Sequence, residues 1–336
     1  MPADSFRQWI SPTAAKRTLP CARIDSTPFR SGRDPRRTNV RRPRGTALAR
    51  FPGSRCEAMT TMVSSELSAG DFQLDPESTF YKGVLQALDA SGVPVLVGGA
   101  YALAVYTGIG RDTKDFDLFL RQADYDRATR VLAASGYQTE LKFPHWLGKV
   151  HAGAWCVDLI FNSGNGLTRV DDAWFEHATD ADVLGMTVKV MPAEEMIWSK
   201  SFIMERERYD GADVVHLLDA RAERLDWPRL LERMGSHWRV LLSHLVQFGY
   251  IYPGEGHRIP AWVMKDLLDR IRNEVEAPGS TTPICRGTLV SREQYLHDVQ
   301  RQGYIDARLP PTGTLSVEDI AIWTAGIDEP SVESRR

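Results

Sequence analysis

Residues 93–120 read VPVLVGGAYALAVYTGIGRDTKDFDLFL, and the other motifs of the chain are best interpreted around them. The run 93–97 has the length and apolar composition of a buried strand, which Gly98 and Gly99 would end. The run 100–106 is apolar and aromatic and predicts a short helix, and 115–120 predicts a second strand. The stretch therefore predicts a strand, a helix and a strand in immediate succession.

Asp115 and Asp117 lie on the second predicted strand with one residue between them. Because successive side chains of a strand point to opposite faces, both carboxylates share one face, while Phe116 and Leu118 face the core. Two neighbouring carboxylates repel each other and are costly to bury unless a cation lies between them. Mg²⁺ prefers oxygen ligands and commonly bridges carboxylates to substrate phosphates, so the pattern predicts a magnesium site for a phosphate-bearing substrate.

The order of glycine pair, short helix and Asp-x-Asp strand resembles the signature of the DNA polymerase β-like nucleotidyltransferase superfamily, and within it the small bacterial branch of AbiEii-type enzymes. The resemblance implies that Gly98 and Gly99 hold a nucleoside triphosphate through their backbone. It also implies that Asp115 and Asp117 bind two Mg²⁺ ions, or Mn²⁺ in their place. A third carboxylate is expected from a later strand, where Asp158 stands in the run WCVDLIF. It would hold one metal ion and act as general base.

Four further residues are assigned to the nucleotide by the resemblance alone. Arg111 and Thr113 precede the Asp-x-Asp strand at places where relatives carry Arg and Ser or Thr, and they are favoured over Lys114. Lys200 and Asp213 fall on two predicted helices at the cleft, where Lys200 would neutralise phosphate charge and Asp213 would orient it or contact the base. The alternatives are a solvated loop for the first pair and exposed helix ion pairs for the second, each worth about 0.3–0.5 kcal/mol.

The expected fold class is α+β: a small mixed β-sheet core with flanking helices, followed by a mainly helical C-terminal domain. The core, 76–191, includes a predicted hairpin of 147–150 and 154–161 with its turn near Ala152 and Gly153. From residue 192 the periodicity becomes helical, which predicts a helical domain at 192–252 that completes the cleft and a helical or irregular region at 253–336. The helices predicted there are 193–206, 210–222, 228–234, 237–249, 260–275 and 292–302.

The N-terminal segment, 1–62, differs in composition from the rest of the chain. Residues 1–58 contain 13 Lys and Arg against four acidic residues, although the whole chain has a net charge of −3. The segment shows no sustained hydrophobic period and cannot bury enough apolar surface to offset its ordering entropy. Three interpretations stay open: a disordered basic arm, an Arg-rich targeting peptide, or an extension upstream of a true start at Met59 or Met62.

Several classes of protein are disfavoured by what the sequence lacks. It contains neither GxxxxGK(S/T) nor GxGxxG, which argues against P-loop and dinucleotide-binding folds. No apolar run approaches the roughly 20 residues that span a membrane. The four cysteines have no CxxC spacing, which favours a reducing cytoplasm over a disulfide framework or a zinc ribbon.

The predicted function is metal-dependent transfer of a nucleoside monophosphate from a nucleoside triphosphate to an acceptor hydroxyl, with release of pyrophosphate. The acceptor stays open between RNA, protein and small molecule, and so does the oligomeric state. Two alternatives remain at this point. One is a non-catalytic, nucleotide-binding regulatory protein, and the other is a toxin-type enzyme of a toxin–antitoxin system that modifies tRNA.

Overall fold

The computed structural model describes residues 76–111, 113, 115–277 and 281–325. These residues fall within one compact unit, Ser68–Arg336. The predicted arm at 1–62 and Lys114 lie outside the described residues, and the predicted domain boundaries near 192 and 253 stay predictions. Among the residues that are described, no helix is both long and apolar enough to cross a membrane.

A mixed sheet of seven strands forms the centre of the fold. The strands are β1 (Leu96–Val97), β2 (Asp115–Phe119), β3 (Gln138–Phe143), β4 (Leu147–Ala152), β5 (Trp155–Ile160), β6 (Thr179–Val183) and β7 (Met186–Val190). Their order across the sheet is β3-β4-β5-β2-β1-β7-β6. Strand β2 runs parallel to β5, β1 runs parallel to β7, and the other neighbours are antiparallel. With its flanking helices, this sheet confirms the predicted α+β class.

Helices flank the sheet and make up most of the chain that follows it. They are α1 (Pro76–Ala90), α2 (Gly99–Thr107), α3 (Tyr125–Ala134), α4 (Asp172–Glu176), α5 (Ala193–Lys200), α6 (Gly211–Arg221), α7 (Trp227–Met234), α8 (Trp238–Ile251), α9 (Ala261–Glu276), α10 (Leu296–Arg301) and α11 (Val317–Ala325). Two short parallel strands, β8 (Ile284–Cys285) and β9 (Ile305–Asp306), pair with each other. The predictions contain no counterpart of β6, α11 or this pair.

The strand–helix–strand unit predicted from residues 93–120 is present, with a shorter first strand. Strand β1 keeps only Leu96 and Val97, because Pro94 has no N–H to donate to a neighbouring strand. Helix α2 begins at Gly99 and ends where Gly108 adopts φ +73°, a left-handed conformation that glycine takes without strain. Helix α2 thus runs between two glycines with positive φ, Gly99 at +53° and Gly108 at +73°.

Both faces of β2 are packed, which fixes the positions of its carboxylates. On one face Phe116 is fully buried and stacks on Tyr81 of α1, with ring centroids 4.9 Å apart. On the other face Phe119 stacks on Trp174 of α4 at 5.4 Å. Asp117 shares the face of Phe119, two residues closer to the start of the strand. That face is therefore apolar at the end of β2 and acidic at its beginning.

Helix α5 is shorter than predicted, because it ends at Lys200 rather than at residue 206. The following segment, 202–210, forms a loop in which Met204 and Tyr209 pair as an isolated bridge. Glu205 in this loop accepts hydrogen bonds from the Ser291 hydroxyl at 2.5 Å and from the backbone N–H of Arg292 at 2.9 Å. Contacts with a segment far along the chain, which no local periodicity reveals, therefore stabilise a loop here instead of a further helical turn.

Candidate active site

Three carboxylates converge where β2 and β5 lie side by side. The parallel register pairs Asp115 with Cys156 and Asp117 with Asp158, and such pairs present their side chains on the same face of a sheet. Asp115 is exposed, whereas the side chain of Asp158 is only 13% exposed. Thr113 donates its hydroxyl proton to the carbonyl of Asp115 at 3.0 Å and so fixes the start of β2. The structure thus brings Asp115 and Asp158 together and places Asp117 beside Asp158 on the same face of the sheet; we call these three residues the acidic cluster.

The donor atoms of this cluster suit a hard divalent cation. Atoms of Asp115, Cys156 and Asp158 all lie within 4.8 Å of one another, so one ion could contact several of them. Burial, and after it the charge of Asp158, raise the pKa of the Cys156 thiol to about 12, so in the absence of a cation the carboxylates are the charged donors of this group. Oxygen donors favour Mg²⁺ or Mn²⁺ over metals that prefer sulfur.

Asp117 is an electrostatically strained member of the cluster. Burial, and after it the charge of Asp158, raise the pKa of Asp117 to about 7, while Lys200 and Arg208 act in the opposite direction. Burial also raises the pKa of Asp158, against the opposing effect of Lys149. Carboxylates perturbed in this way are typical of functional sites, and a bound cation would relieve their repulsion.

The glycine pair makes room for Asp117. A β-carbon on Gly99 would overlap the Asp117 carboxylate, and one on Gly98 would overlap the ring of Phe119. Gly98 also donates its N–H to the carbonyl of Asp117 at 2.9 Å. From the sequence, the missing β-carbons are expected to let a phosphate approach the backbone. In the structure, side chains of β2 occupy that space, so phosphate contact at Gly98 and Gly99 stays a prediction.

A row of alternating charges lies near the carboxylates. Asp213 accepts two hydrogen bonds from the Arg111 guanidinium, both at 2.9 Å, and pairs with Lys200 at 2.7 Å. Lys200 also pairs with Asp210 at 2.7 Å, and Asp210 accepts hydrogen bonds from Arg208 at 3.2 and 3.3 Å. We call these five residues the ion-pair row. Lys200 and both aspartates are buried, whereas the side chains of Arg111 and Arg208 are 47% and 68% exposed.

The ion-pair row unites three residues predicted from the sequence, Arg111, Lys200 and Asp213. Asp213 pairs with Lys200, and the roles of both residues toward the nucleotide stay predictions. Arg208 was not predicted. The loop sequence contains two arginines in the run ERER, and nothing in the sequence distinguishes Arg208 from Arg206. Only the fold shows that Arg208 reaches Asp210 and lies close enough to Asp117 to lower its pKa.

Lys149 joins the acidic cluster from β4. Its Nζ lies 2.6 Å from Oδ1 of Asp158 and 3.7 Å from the sulfur of Cys156. In the antiparallel register of β4 and β5, Lys149 is the direct partner of Asp158. Lys149 is not predicted from the sequence, because a two-residue turn at Ala152 and Gly153 would place it opposite Cys156. The turn lies one residue later, at Gly153 and Ala154, and this places Lys149 opposite Asp158.

Comparison with known proteins identifies the region that contains this site. Residues 80–242, a little under half of the chain, match the model of a family described as uncharacterised nucleotidyltransferase. The resemblance to nucleotidyltransferases expected from the sequence is thereby confirmed. The closeness to the AbiEii-type branch stays a prediction. No curated protein matches the chain.

Three solved structures show distant similarity. ANT(2'')-Ia in complex with adenylyl-2''-tobramycin has 18% identity and a TM-score of 0.31, covering 53% of this chain and 99% of that one. The lincosamide antibiotic adenylyltransferase LnuA, lincomycin-bound, has 15% identity and a TM-score of 0.33, covering 44% and 98%. An antigenic nucleotidyltransferase-like protein from Paracoccidioides brasiliensis has 16% identity and a TM-score of 0.34, covering 54% and 91%. Similarities this low carry no inference about substrates.

Proposed function

We propose that this chain, whose residues 80–242 belong to a nucleotidyltransferase family, transfers a nucleoside monophosphate from a nucleoside triphosphate to an acceptor hydroxyl with release of pyrophosphate. The observation that carries the proposal is the cluster of Asp115, Asp117 and Asp158 on two adjacent parallel strands. Three carboxylates at this spacing are unfavourable on their own and suit a site that binds divalent cations.

Asp115, Asp117 and Asp158 would hold the metal ions, Mg²⁺ or Mn²⁺. When bound, such ions neutralise charge on the transferring phosphoryl group and on the leaving pyrophosphate. The donor set supports this assignment because two of the three residues whose donor atoms lie within 4.8 Å of one another, Asp115 and Asp158, offer carboxylate oxygens. The raised pKa of Asp117 supports it as well, since a cation at this place would offset the repulsion from Asp158.

Residues of the chain supply binding and proton transfer. Asp158 would accept the proton of the acceptor hydroxyl, a role that fits the upward shift of its pKa. The exposed ends of the ion-pair row, Arg111 and Arg208, would bind the triphosphate oxygens. Lys200 is buried between two aspartates, so its contribution is to hold the row together rather than to reach a phosphate. Positioning and charge stabilisation would then account for most of the acceleration.

Replacing Arg208 with alanine is expected to raise KM for the nucleoside triphosphate with little change in kcat. A charge-assisted hydrogen bond contributes about 1.5–3 kcal/mol, which corresponds to a factor of roughly 10–100 in affinity. Steady-state kinetics at saturating Mg²⁺ measures the effect. The matched control is Arg206→Ala, which removes the other exposed arginine of the same loop. Equal effects of the two substitutions would contradict a specific role for Arg208 and indicate general charge attraction.

The proposed reaction is tested by transfer of label from each α-labelled nucleoside triphosphate, with Mg²⁺, into fractionated cell extract. Label is expected in one fraction, of RNA, protein or small molecules, which would also identify the class of acceptor. The variant with Asp115→Ala and Asp117→Ala serves as the negative control. Absence of label from every fraction, with folded protein that binds the nucleotide, would contradict transfer and favour a nucleotide-binding regulatory protein.

A further inference from the structure

Lys149 and Asp158 form an ion pair inside the candidate active site. They are direct partners in the register of β4 and β5, and Nζ lies 2.6 Å from Oδ1. Their side chains are 24% and 13% exposed, so solvent screens the pair only in part. The lysine therefore takes up one of the two carboxylate oxygens of Asp158, a residue that the proposed mechanism needs both as a metal ligand and as a base.

The same sheet contains a second ion pair of this kind in an ordinary setting. Lys189 and Asp180 are direct partners in the register of β6 and β7, with Nζ 3.1 Å from Oδ1. Their side chains are 52% and 65% exposed, and none of the three aspartates of the acidic cluster lies on β6 or β7. The two pairs have the same cross-strand geometry but differ in burial and in the presence of neighbouring carboxylates. The pair on β6 and β7 therefore controls for the loss of a cross-strand ion pair as such.

Charge balance indicates what Lys149 does. Asp115, Asp117 and Asp158 carry up to three negative charges. Lys149 offsets the charge of Asp158, while Lys200 and Arg208 act on Asp117, so the cluster keeps enough negative charge for a first divalent cation. Further cations would then depend on the negative charge that the triphosphate brings. Without the lysine, the cluster would attract cations more strongly, and Asp158 would offer both oxygens to a metal ion.

We propose that Lys149 is a positioning residue that keeps Asp158 available for the acceptor and restrains metal binding until the nucleotide arrives. This inference rests on the proposed function of the site. It leads to an unusual pair of expected effects: loss of Lys149 strengthens metal binding while it slows transfer. A residue that merely stabilised the fold would weaken both.

The test is the Lys149→Met variant, measured by titration with Mn²⁺ in the absence of nucleotide and by steady-state kinetics. Removing a positive charge next to the ligands is expected to raise Mn²⁺ affinity about tenfold or more, as nearby charges shift carboxylate pKa values by roughly 1–3. Because Asp158 is then held differently, kcat is expected to fall about 10–100-fold, as for other partners of metal ligands, with KM for the triphosphate nearly unchanged. Lys149→Arg should restore the wild-type Mn²⁺ affinity and part of kcat.

Lys189→Met is the matched control and should leave both Mn²⁺ affinity and kcat unchanged. Unchanged or weaker Mn²⁺ binding by Lys149→Met would overturn the inference, and so would an unchanged kcat in an active enzyme. Lys149→Gln, which keeps a hydrogen-bond donor but no charge, gives the same test if the methionine variant does not fold. Should the wild type transfer nothing, the proposed function fails separately, and the Mn²⁺ titration still decides whether Lys149 restrains metal binding.

Discussion

Replacing Asp117 with asparagine is expected to abolish nucleotide transfer and, at the same time, to stabilise the fold in the absence of divalent cations. Loss of a metal ligand removes several kcal/mol of transition-state stabilisation, so kcat should fall on the order of 10³-fold or more. The folded state should become more stable because burial and the charge of Asp158 raise the pKa of Asp117 to about 7, which means that ionising this carboxylate opposes folding. Asparagine keeps the shape and cannot ionise.

The ionisation of Asp117 makes the stability of the folded protein depend on pH in a definite direction. The pKa of Asp117 is higher in the folded than in the unfolded protein, so the stability from this group is complete at low pH. It is lost as the pH rises from about 4 to about 7. In the presence of a chelator, the wild type should therefore melt at a lower temperature at pH 8 than at pH 5, and Asp117→Asn should reduce this difference. One kcal/mol corresponds to about 2–4 °C in a protein of this size.

Thermal unfolding from pH 5 to pH 8, with EDTA or with Mg²⁺, measures these effects. Mg²⁺ should raise the melting temperature of the wild type at pH 8 and have little effect on Asp117→Asn. Asp180→Asn is the control, because its carboxylate is exposed on β6 and should change neither turnover nor the pH profile. Turnover of Asp117→Asn comparable to that of the wild type would refute the metal assignment. A melting temperature of Asp117→Asn below that of the wild type at pH 8 in EDTA would refute the electrostatic argument.

Replacing Gly99 with alanine is expected to reduce both stability and transfer strongly. Gly99 adopts φ +53°, where a non-glycine residue costs roughly 1–2 kcal/mol, and its β-carbon would also overlap the Asp117 carboxylate. The carboxylate must move, and a displacement of about 1 Å in a catalytic group can cost on the order of 10²-fold in rate. Chemical denaturation and the transfer assay measure the two effects.

Gly108→Ala separates backbone strain from the overlap. Gly108 lies at the other end of α2 with φ +73°, and a β-carbon there would meet nothing within 4 Å. Gly108→Ala should therefore lower stability only by the cost of the backbone strain and leave nucleotide transfer intact. Gly99→Ala should cost little more than the strain when Asp117 is already alanine, because the overlapping carboxylate is then gone and only the β-carbon of residue 117, at 3.1 Å, remains. Equal stability losses for Gly99→Ala in both backgrounds would show that the carboxylate is not the obstacle.

The paired aspartates were predictable because their determinants are local: alternation along a strand puts Asp115 and Asp117 on one face. The third carboxylate, Asp158, was expected only because the resemblance to nucleotidyltransferases implies one on a later strand. The glycine pair was also recognised, and phosphate contact there stays a prediction, but the close approach of Asp117 to Gly99 was not foreseen. Sequence shows that Gly99 lacks a β-carbon, and only the packing of α2 against β2 shows that Asp117 fills the space.

The rest of the site depends on long-range arrangement. Lys149 contributes through strand register, which the sequence determines only once the hairpin turn is placed to the residue. Arg208 contributes through a loop that replaces the last predicted turns of α5, and the partners of that loop come from residues near 290. Helical periodicity continues through 193–206 because it records amphipathic spacing, whereas the end of α5 is determined by tertiary contacts.

The bond between Glu205 and the segment at Ser291 and Arg292 has a practical consequence for dissecting this protein. Residues 80–242 carry the family match and all the carboxylates of the cluster, so they look like the natural fragment to express alone. That fragment would lack the residues that anchor the loop of Arg208. If Arg208 binds the triphosphate as proposed, an isolated family domain would retain the carboxylates and bind the triphosphate more weakly, and a fully functional fragment would have to extend beyond Arg292.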